Sequence, residues 1–386
     1  MHIAYVGSIV DEDKVFMFSG GSIAGNKYQT SLVSGLEAMG NECVRFTLLP
    51  LASFPRSKRI LIRKRFCGTG AGNSRVIPYI NILGLKQISV LICLSLMLLR
   101  WAFCTRKLSD RVLLVFNTMS FLTIPVLLTS ALYGIKKIAI AVDIAPLQPK
   151  RFLERMEAKF ETGVLKKLDG IIQITEHITK DFASRVPGIV VEGGVNEILP
   201  CVPPPERNRI PILLYTGALD ENSGIGILLD AMRLLAGMEL ELWIAGKGIY
   251  TGLVKEAQRA DGRICYYGYV DNSVALQLQQ KADVLLCPRL PDGYVTKYTF
   301  PSKLFEYLLS GKPCICFRLE GLTEDITRIL FIPDQNSAEA LAGKIKEVLV
   351  NRDFNPNEQL RYVRNKTWKN QAPKVDAFIK RMVGVS

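Results

Sequence analysis

The sequence predicts an α/β protein of two doubly wound, Rossmann-like domains facing a central cleft. Apolar runs of strand length alternate with longer segments of helical period, the pattern of parallel sheets covered by helices on both faces. A polar, proline-rich passage from Asn196 to Pro211, NEILPCVPPPERNRIP, interrupts that alternation, which then restarts. A chain of 386 residues is also too long for one ordinary core and suits two domains of about 150–200 residues each.

In the first half, strand patterns fall at 2–7, 42–46, 112–116, 137–142, 170–174 and 189–192, with helical stretches over 27–39, 86–104, 149–168 and 176–185. These form a first domain over 1–198, followed by a linker over 199–210. The second domain, 211–365, has strands at 212–216, 240–245, 264–267, 284–287 and 313–317. Its helices lie over 224–235, 251–260, 274–281, 301–309 and 338–350. A C-terminal helix within 366–386 is expected to pack back toward the first domain. No repeat of solenoid period and no low-complexity tract is present.

An apolar fraction of 48% with 22% charged residues is that of a folded chain. The net charge of +13 is concentrated: from Cys43 to Ser109 there are twelve Lys or Arg residues and no Asp or Glu. Such a segment suits a phosphorylated substrate, a phospholipid surface or a nucleic acid, and composition does not choose among them. Residues 88–99 are strongly apolar but bounded by Lys86 and Arg100, which reads as too short to cross a bilayer. They fit either a core helix or a helix whose outer face dips into the lipid interface. The adjoining PRSKRILIRKRF interleaves Arg56, Lys58, Arg59, Arg63, Lys64 and Arg65 with Ile60, Leu61, Ile62 and Phe66, a pattern matched to anionic lipid. A membrane-facing segment at about 54–104 is therefore expected. Nucleic acid is disfavoured, because the segment lacks an aromatic stacking platform and contains an apolar helix.

Nine cysteines without paired spacing argue against a disulfide framework, and the opening MHIAYVGSI carries no secretory pattern. The expectation is a reduced, cytoplasmic protein associated peripherally with the inner face of the cell membrane. Cys314 and Cys316 alternate with Ile315 and Phe317 as in a buried strand, and no zinc motif occurs. Of the two histidines, His2 sits on the opening strand, expected to be buried, and His177 on a surface helix, so a histidine-centred triad is not expected.

In open parallel sheets, ligands bind beyond the carboxyl ends of strands. Three loops there are informative. FSGGSIAGNKYQ, 18–29, follows the opening strand and enters a helix; Gly20, Gly21, Gly25 and Asn26 make it a candidate donor-site wall near that helix's positive end, or a plain flexible turn. Its spacing is not that of dinucleotide or P-loop motifs, which disfavours a dehydrogenase or an ATPase. YTGALDENSGIGILLDAM places Gly217 at a strand end and Gly224 at a helix start. PRLPDGYVTKYTFPSKLFEYLLSGKP, 288–313, begins a helix at Pro301 and sets Ser302, Lys303 and Glu306 on one helical face. Asp143, in AVDIAP, ends a first-domain strand and either orients an acceptor hydroxyl or caps the next helix.

Read in order, LLYTGAL, LWIAGKG, ICYYGYV, ADVLLCPR and FPSKLFEYLLSGKPCI resemble the landmarks of the second domain of family 4 (group 1) glycosyltransferases, whose fold is GT-B. The branch marked by PR…KYxFPSK…EYL.SGKP, common in bacterial polysaccharide assembly, is the one this sequence looks like. The resemblance covers about 211–345 well and the first domain more loosely, through GGSIAGNKYQ, the strand ending at Asp143 and VEGGVN. It implies transfer of a hexose from a nucleotide-diphosphate sugar to an acceptor, a lipid-linked glycan of a lipopolysaccharide or capsule, with retention of configuration. No metal or other cofactor is implied. Glu306 would hold a vicinal diol such as that of ribose, Arg289, Lys297 and Lys303 would meet the leaving diphosphate, and Ser302 and Gly217 would line the donor site. The backbone of the loop containing Tyr269 and Val270 would recognise the base. Lys303, Arg289 and Asp143 are thus the candidate catalytic groups.

Two departures from the family pattern matter. Tyr298 stands where many members carry an earlier glutamate, and Ala218 and Ser223 stand where an arginine and a lysine are usual. Arg289 and Lys303 are expected to take over the missing charge. The same departures motivate the alternative of a non-catalytic GT-B-like scaffold subunit in a polysaccharide-assembly complex. A nucleotide-sugar epimerase of the same fold fits less well, because the cleft carboxylates and histidines it relies on are not found.

Overall fold

The computed structural model describes residues 1–11, 18, 22–63, 73–142, 144, 151–196, 208–291, 294–351 and 354–385. They form two compact units, Met1–Asn196 with Trp368–Ser386, and Glu197–Thr367.

The first unit is built on a parallel sheet. In chain order its elements are β1 (His2–Gly7), α1 (Ile23–Ala38), β2 (Glu42–Thr47), β3 (Leu61–Ile62), β4 (Ser74–Val76), β5 (Tyr79–Ile80) and α2 (Leu85–Cys104). They continue with β6 (Arg111–Phe116), α3 (Ser120–Tyr133), β7 (Lys136–Ala141), α4 (Phe152–Leu165), β8 (Gly170–Gln173), α5 (His177–Phe182) and β9 (Gly188–Val190). The sheet order is β4-β2-β1-β6-β7-β8-β9, while β3 and β5 form a separate antiparallel ribbon. The strands are uninterrupted apolar runs because both sheet faces are covered. Ile3, Tyr5, Val112, Leu114, Ile138, Ile140 and Ile172 share one core with Leu32 and Leu36 of α1.

Three local features depart from expectation. His2 is half-buried at the strand's start, its Nδ1 3.0 Å from Glu42 Oε2. Helix α3 was not signalled by periodicity, because it is apolar on most sides and packs both on α2 and on β6 and β7. Pro125 inside it further masks the pattern. Helix α2 has 20 residues and is, by length and composition alone, long and apolar enough to cross a membrane, which corrects the shorter reading of 88–99. Even so, Val90, Leu94, Leu98, Trp101 and Ala102 are buried within the unit.

The chain's last helix, Trp368–Val383, closes this unit. Trp368 N–H donates to the Val195 carbonyl at 3.0 Å, and Gln371 Nε2 to that of Gly193 at 3.1 Å. Asn41 Nδ2 donates to Asp376 Oδ1 at 2.6 Å. Gly35 lets α1 approach closely: a Cβ there would lie 2.6 Å from that of Ala372.

The second unit contains β10 (Ile212–Thr216), α6 (Ile225–Leu234), β11 (Glu241–Ala245), α7 (Thr251–Ala260), β12 (Ile264–Gly268), α8 (Asn272–Lys281) and β13 (Val284–Cys287). After these come α9 (Val295–Tyr298), α10 (Lys303–Leu309), β14 (Cys314–Cys316), α11 (Glu324–Thr327), α12 (Ala338–Val350) and α13 (Asn357–Asn365). Its parallel sheet has the order β12-β11-β10-β13-β14. The core packs Leu213, Leu242, Ile244 and Leu286 against Leu228 and Met232 of α6 and Ile345 of α12. Cys314 and Cys316 are fully buried in β14.

Candidate functional site

At the carboxyl ends of β10, β11 and β12, backbone groups lace the loops together. Gly217 N–H donates to the Ala245 carbonyl at 2.8 Å, Leu219 N–H to Lys247 at 3.0 Å, and Gly246 N–H to Gly268 at 2.7 Å. The loop after β13 joins them, with Leu290 N–H donating to the Asn222 carbonyl at 2.9 Å. Close approach explains two glycines. A Cβ on Gly224 would run into the Pro288 carbonyl, and one on Gly217, whose φ is +151°, would run into the Lys303 ammonium.

Helix α10 is what brings Lys303 there. Tyr307, one turn on and fully buried, accepts from the Thr216 N–H at 2.9 Å, fixing the helix to the end of β10. Lys303 then lies beside Gly217, with its Nζ 5.5 Å from the centre of the Tyr215 ring. Burial lowers the Lys303 pKa from its ordinary value, against the charges of Cys287, Glu306 and Asp220, while Arg289 lowers it further. Two cations therefore share one small region. The neighbouring Cys287 thiol pKa is lowered to about 7, mainly by its hydrogen bond with Cys316 and against burial, with smaller contributions from Lys303 and Arg289. Arg289 Nε is buried and, among the described residues, has no hydrogen-bond partner. A guanidinium nitrogen left in that state is costly unless a ligand or solvent meets it.

The remaining expected residues fall around this centre. Glu306 is half-buried one turn from Lys303, and Ser302 is exposed at the start of α10, two residues before which the helix was expected to begin. Lys297 lies on α9 with its Nζ 5.6 Å from the Tyr298 ring centre. Tyr269 is exposed beneath Lys247, whose Nζ is 4.2 Å from the ring centre, and Val270 is half-buried. The three departures have local explanations. Ser223 Oγ donates to the Asp220 carbonyl at 2.6 Å, Ala218 offers its carbonyl to Tyr215 Oη at 2.6 Å, and Tyr298 is buried against Tyr294 at 4.8 Å.

In the first unit, Ser22 caps α1 by accepting from Gly25 N–H at 3.1 Å. Asn26 is buried and uses both ends of its amide on Val10, each at 2.9 Å, which ties α1 to the residues just after β1. Gln29, which sequence reasoning passed over, does similar work by accepting from Tyr5 Oη at 3.0 Å and Ser8 N–H at 2.8 Å. Gly20, Gly21, Asp143, Lys64 and Arg65 lie outside the described residues. Arg56, Lys58, Arg59 and Arg63 lie on the segment around β3. Among the described residues, no group of three or more His, Cys, Asp or Glu is arranged to hold a metal ion.

The family model of glycosyl transferases group 1 matches residues 210–351, which contain this whole cluster. The chain carries a glycosyl transferase group 1 domain. No curated protein matches the sequence. Among solved structures, the chain is similar to sucrose-phosphate synthase from Thermosynechococcus elongatus, with a TM-score of 0.69 at 15% identity over 100% of both chains. It is also similar to the apo form of the lipopolysaccharide outer core galactosyltransferase WaaB, at 0.66 and 16% over 98% of this chain and 100% of that one. Anabaena HepE in complex with UDP gives 0.65 and 12% over 99% and 100%. These likenesses establish the GT-B fold around the group 1 domain.

Proposed function

We propose that the protein transfers a hexose from a nucleotide-diphosphate sugar to a lipid-linked glycan in cell-surface polysaccharide synthesis, with retention of configuration. The observation that carries the reading is the half-buried Lys303 ammonium beside Gly217, electrostatically coupled to Arg289, whose Nε is buried and unpartnered, at the strand ends of the group 1 domain. As the bond from the anomeric carbon to the diphosphate oxygen breaks, that oxygen gains negative charge. Lys303 and Arg289 are preorganised to neutralise it. Glu306 accepts hydrogen bonds from both hydroxyls of a vicinal diol such as that of the ribose, which holds the donor while the bond opens. Ser302 and Lys297 flank the donor, and the backbone at Tyr269 and Val270 meets the base. That HepE was solved with UDP agrees with a nucleotide ligand. Asp143 orients the acceptor hydroxyl, and no metal is required.

The acceptor half of the proposal rests on the basic segment. Arg56, Lys58, Arg59 and Arg63 hold the protein at the cytoplasmic face of an anionic membrane, where a lipid-linked acceptor is presented. A thermal-shift screen of UDP, GDP, ADP, CDP and dTDP tests the donor half: one of them should raise the melting temperature, and Lys303→Ala should abolish the rise. A flat response to all five would refute it. A scaffold reading draws on the structural duties of Ala218, Ser223 and Tyr298. It predicts that the diphosphate binds, if at all, with no slow hydrolysis of the corresponding nucleotide sugar.

A further inference from the structure

The exposed apolar surface of the first unit is organised in a way the basic segment alone does not explain. Opposite its buried face, α2 exposes Leu85, Ile88, Ile92, Leu96 and Phe103, spaced three, four or seven residues apart along one side. The stripe runs about 27 Å at 1.5 Å per residue. Helix α3 packs along α2 and leaves Ile124, Leu128 and Leu132 open at four-residue steps, with Leu132 63% exposed. A continuous apolar face of two helices exceeds the scattered exposure of ordinary surfaces.

Its surroundings identify what covers it. At the N-terminal end of α2 the β3–β5 ribbon presents exposed Ile60 and Leu61 among Arg56, Lys58, Arg59 and Arg63. The ribbon is held in place: fully buried Asn81 donates to the carbonyls of Ala52 at 2.9 Å and Arg59 at 3.0 Å, and Lys86 Nζ donates to that of Leu51 at 2.5 Å. At the other end Arg106 stacks on Phe103, its guanidinium carbon 4.1 Å from the ring centre. Exposed Arg100 continues the stripe one turn beyond Leu96, where a long side chain can carry its charge outward to the headgroups. Apolar residues flanked at both ends by cations, with no acidic residue from Cys43 to Ser109, complement a layer that is hydrocarbon inside and anionic outside. An integral crossing is a poorer fit, since the opposite side of α2 is already packed in the unit.

We infer that α2 and α3 lie in the plane of an anionic monolayer with their shared apolar face inserted below the headgroups, while the ribbon and Arg106 hold lipid phosphates at its two ends. This rests on the membrane half of the proposed function and adds insertion to charge attraction.

The test is flotation of the full chain with vesicles of phosphatidylcholine and phosphatidylglycerol, at low salt and at about 1 M NaCl, where exposed charge pairs are screened. The wild type should keep a salt-resistant bound fraction. The triple substitution Ile88→Ser, Ile92→Ser, Leu96→Ser should reduce partitioning at least tenfold at high salt, with an unchanged melting temperature and nucleoside-diphosphate response showing that it folds. Arg56→Glu, Lys58→Glu and Arg59→Glu together should instead weaken low-salt binding and the preference over pure phosphatidylcholine vesicles. Loss of all wild-type binding at high salt, with the serine variant indistinguishable from it, overturns insertion and leaves charge docking intact. Absence of binding at either salt overturns both. A wild-type dimer that the serine substitutions convert to monomer overturns insertion in favour of self-association, and resistance to alkaline carbonate extraction overturns it in favour of a transmembrane helix.

Discussion

Gly217→Ala is the sharpest probe of the site, because the structure says what the added methyl meets. A Cβ at this position overlaps the Lys303 ammonium, the mobile end of a long side chain, while the backbone stays laced to Ala245. The ammonium gives way and leaves its place beside the strand end. Its charge-assisted contact with a diphosphate is worth about 1.5–3 kcal/mol, so affinity should fall about 10- to 150-fold. Lys303→Ala should cost the same, since it removes the same group. The backbone at φ +151° adds a separate penalty of about 1–3 kcal/mol in stability, read as a melting shift of roughly 2–12 °C. Isothermal calorimetry with the nucleoside diphosphate selected by thermal shift closes the double-mutant cycle. In the Lys303→Ala background, Gly217→Ala should change affinity no more than about threefold. Full additivity of the two losses would refute the reasoning, because the glycine would then act on the ligand by some route other than the lysine.

Three further outcomes follow from the same geometry. Burial lowers the Lys303 pKa below its ordinary 10.5, so the unfolded chain keeps this proton where the folded protein has released it; the stability from this group rises as pH climbs through that interval, while diphosphate affinity falls there and binding takes up a proton, seen as buffer-dependent calorimetric heat. Glu306→Gln should lower nucleoside-diphosphate affinity and transfer together, because a ribose diol belongs to both ligands; transfer lost with diphosphate affinity intact would move Glu306 out of that role. Tyr307→Phe leaves the buried Thr216 N–H without its acceptor and should cost about 1–3 kcal/mol in chemical unfolding, with a loss of diphosphate affinity as α10 loosens.

The sheets were legible in the sequence because strands covered on both faces are written as unbroken apolar runs, and VLLVF and KKIAIA leave little choice. Helix α3 was hidden for a related reason: packed on two sides, it has no polar stripe to set a period, and Pro125 reads as a breaker. The β3–β5 ribbon has two residues per strand, too few to carry alternation at all. At the site, Lys303 and Glu306 could be found because helical spacing placed them together. The duty of Asn26 could not, since its partner Val10 lies sixteen residues away in the sequence with no pattern linking the two. Tyr307 left one usable signal, a hydroxyl one turn from Lys303 and followed by Leu308 and Leu309, but its acceptor role depends on how α10 meets β10.

The arrangement separates shape from charge. Loop 217–224 is held by backbone hydrogen bonds and close glycine contacts, and its one buried hydroxyl, on Ser223, is turned onto its own carbonyl neighbour. It offers a mould without a side-chain cation. The positive groups come instead from the loop after β13, through Arg289, whose Nε is buried, and from α10, through the half-buried Lys303, each placed before any ligand arrives. Cations borne on an exposed loop must be ordered by the ligand and draw on its binding energy. Cations already placed have met that cost during folding; burial also lowers the Lys303 pKa in the free protein, so a diphosphate that raises it again should bind with a pH dependence at the alkaline end that a solvated clamp would lack.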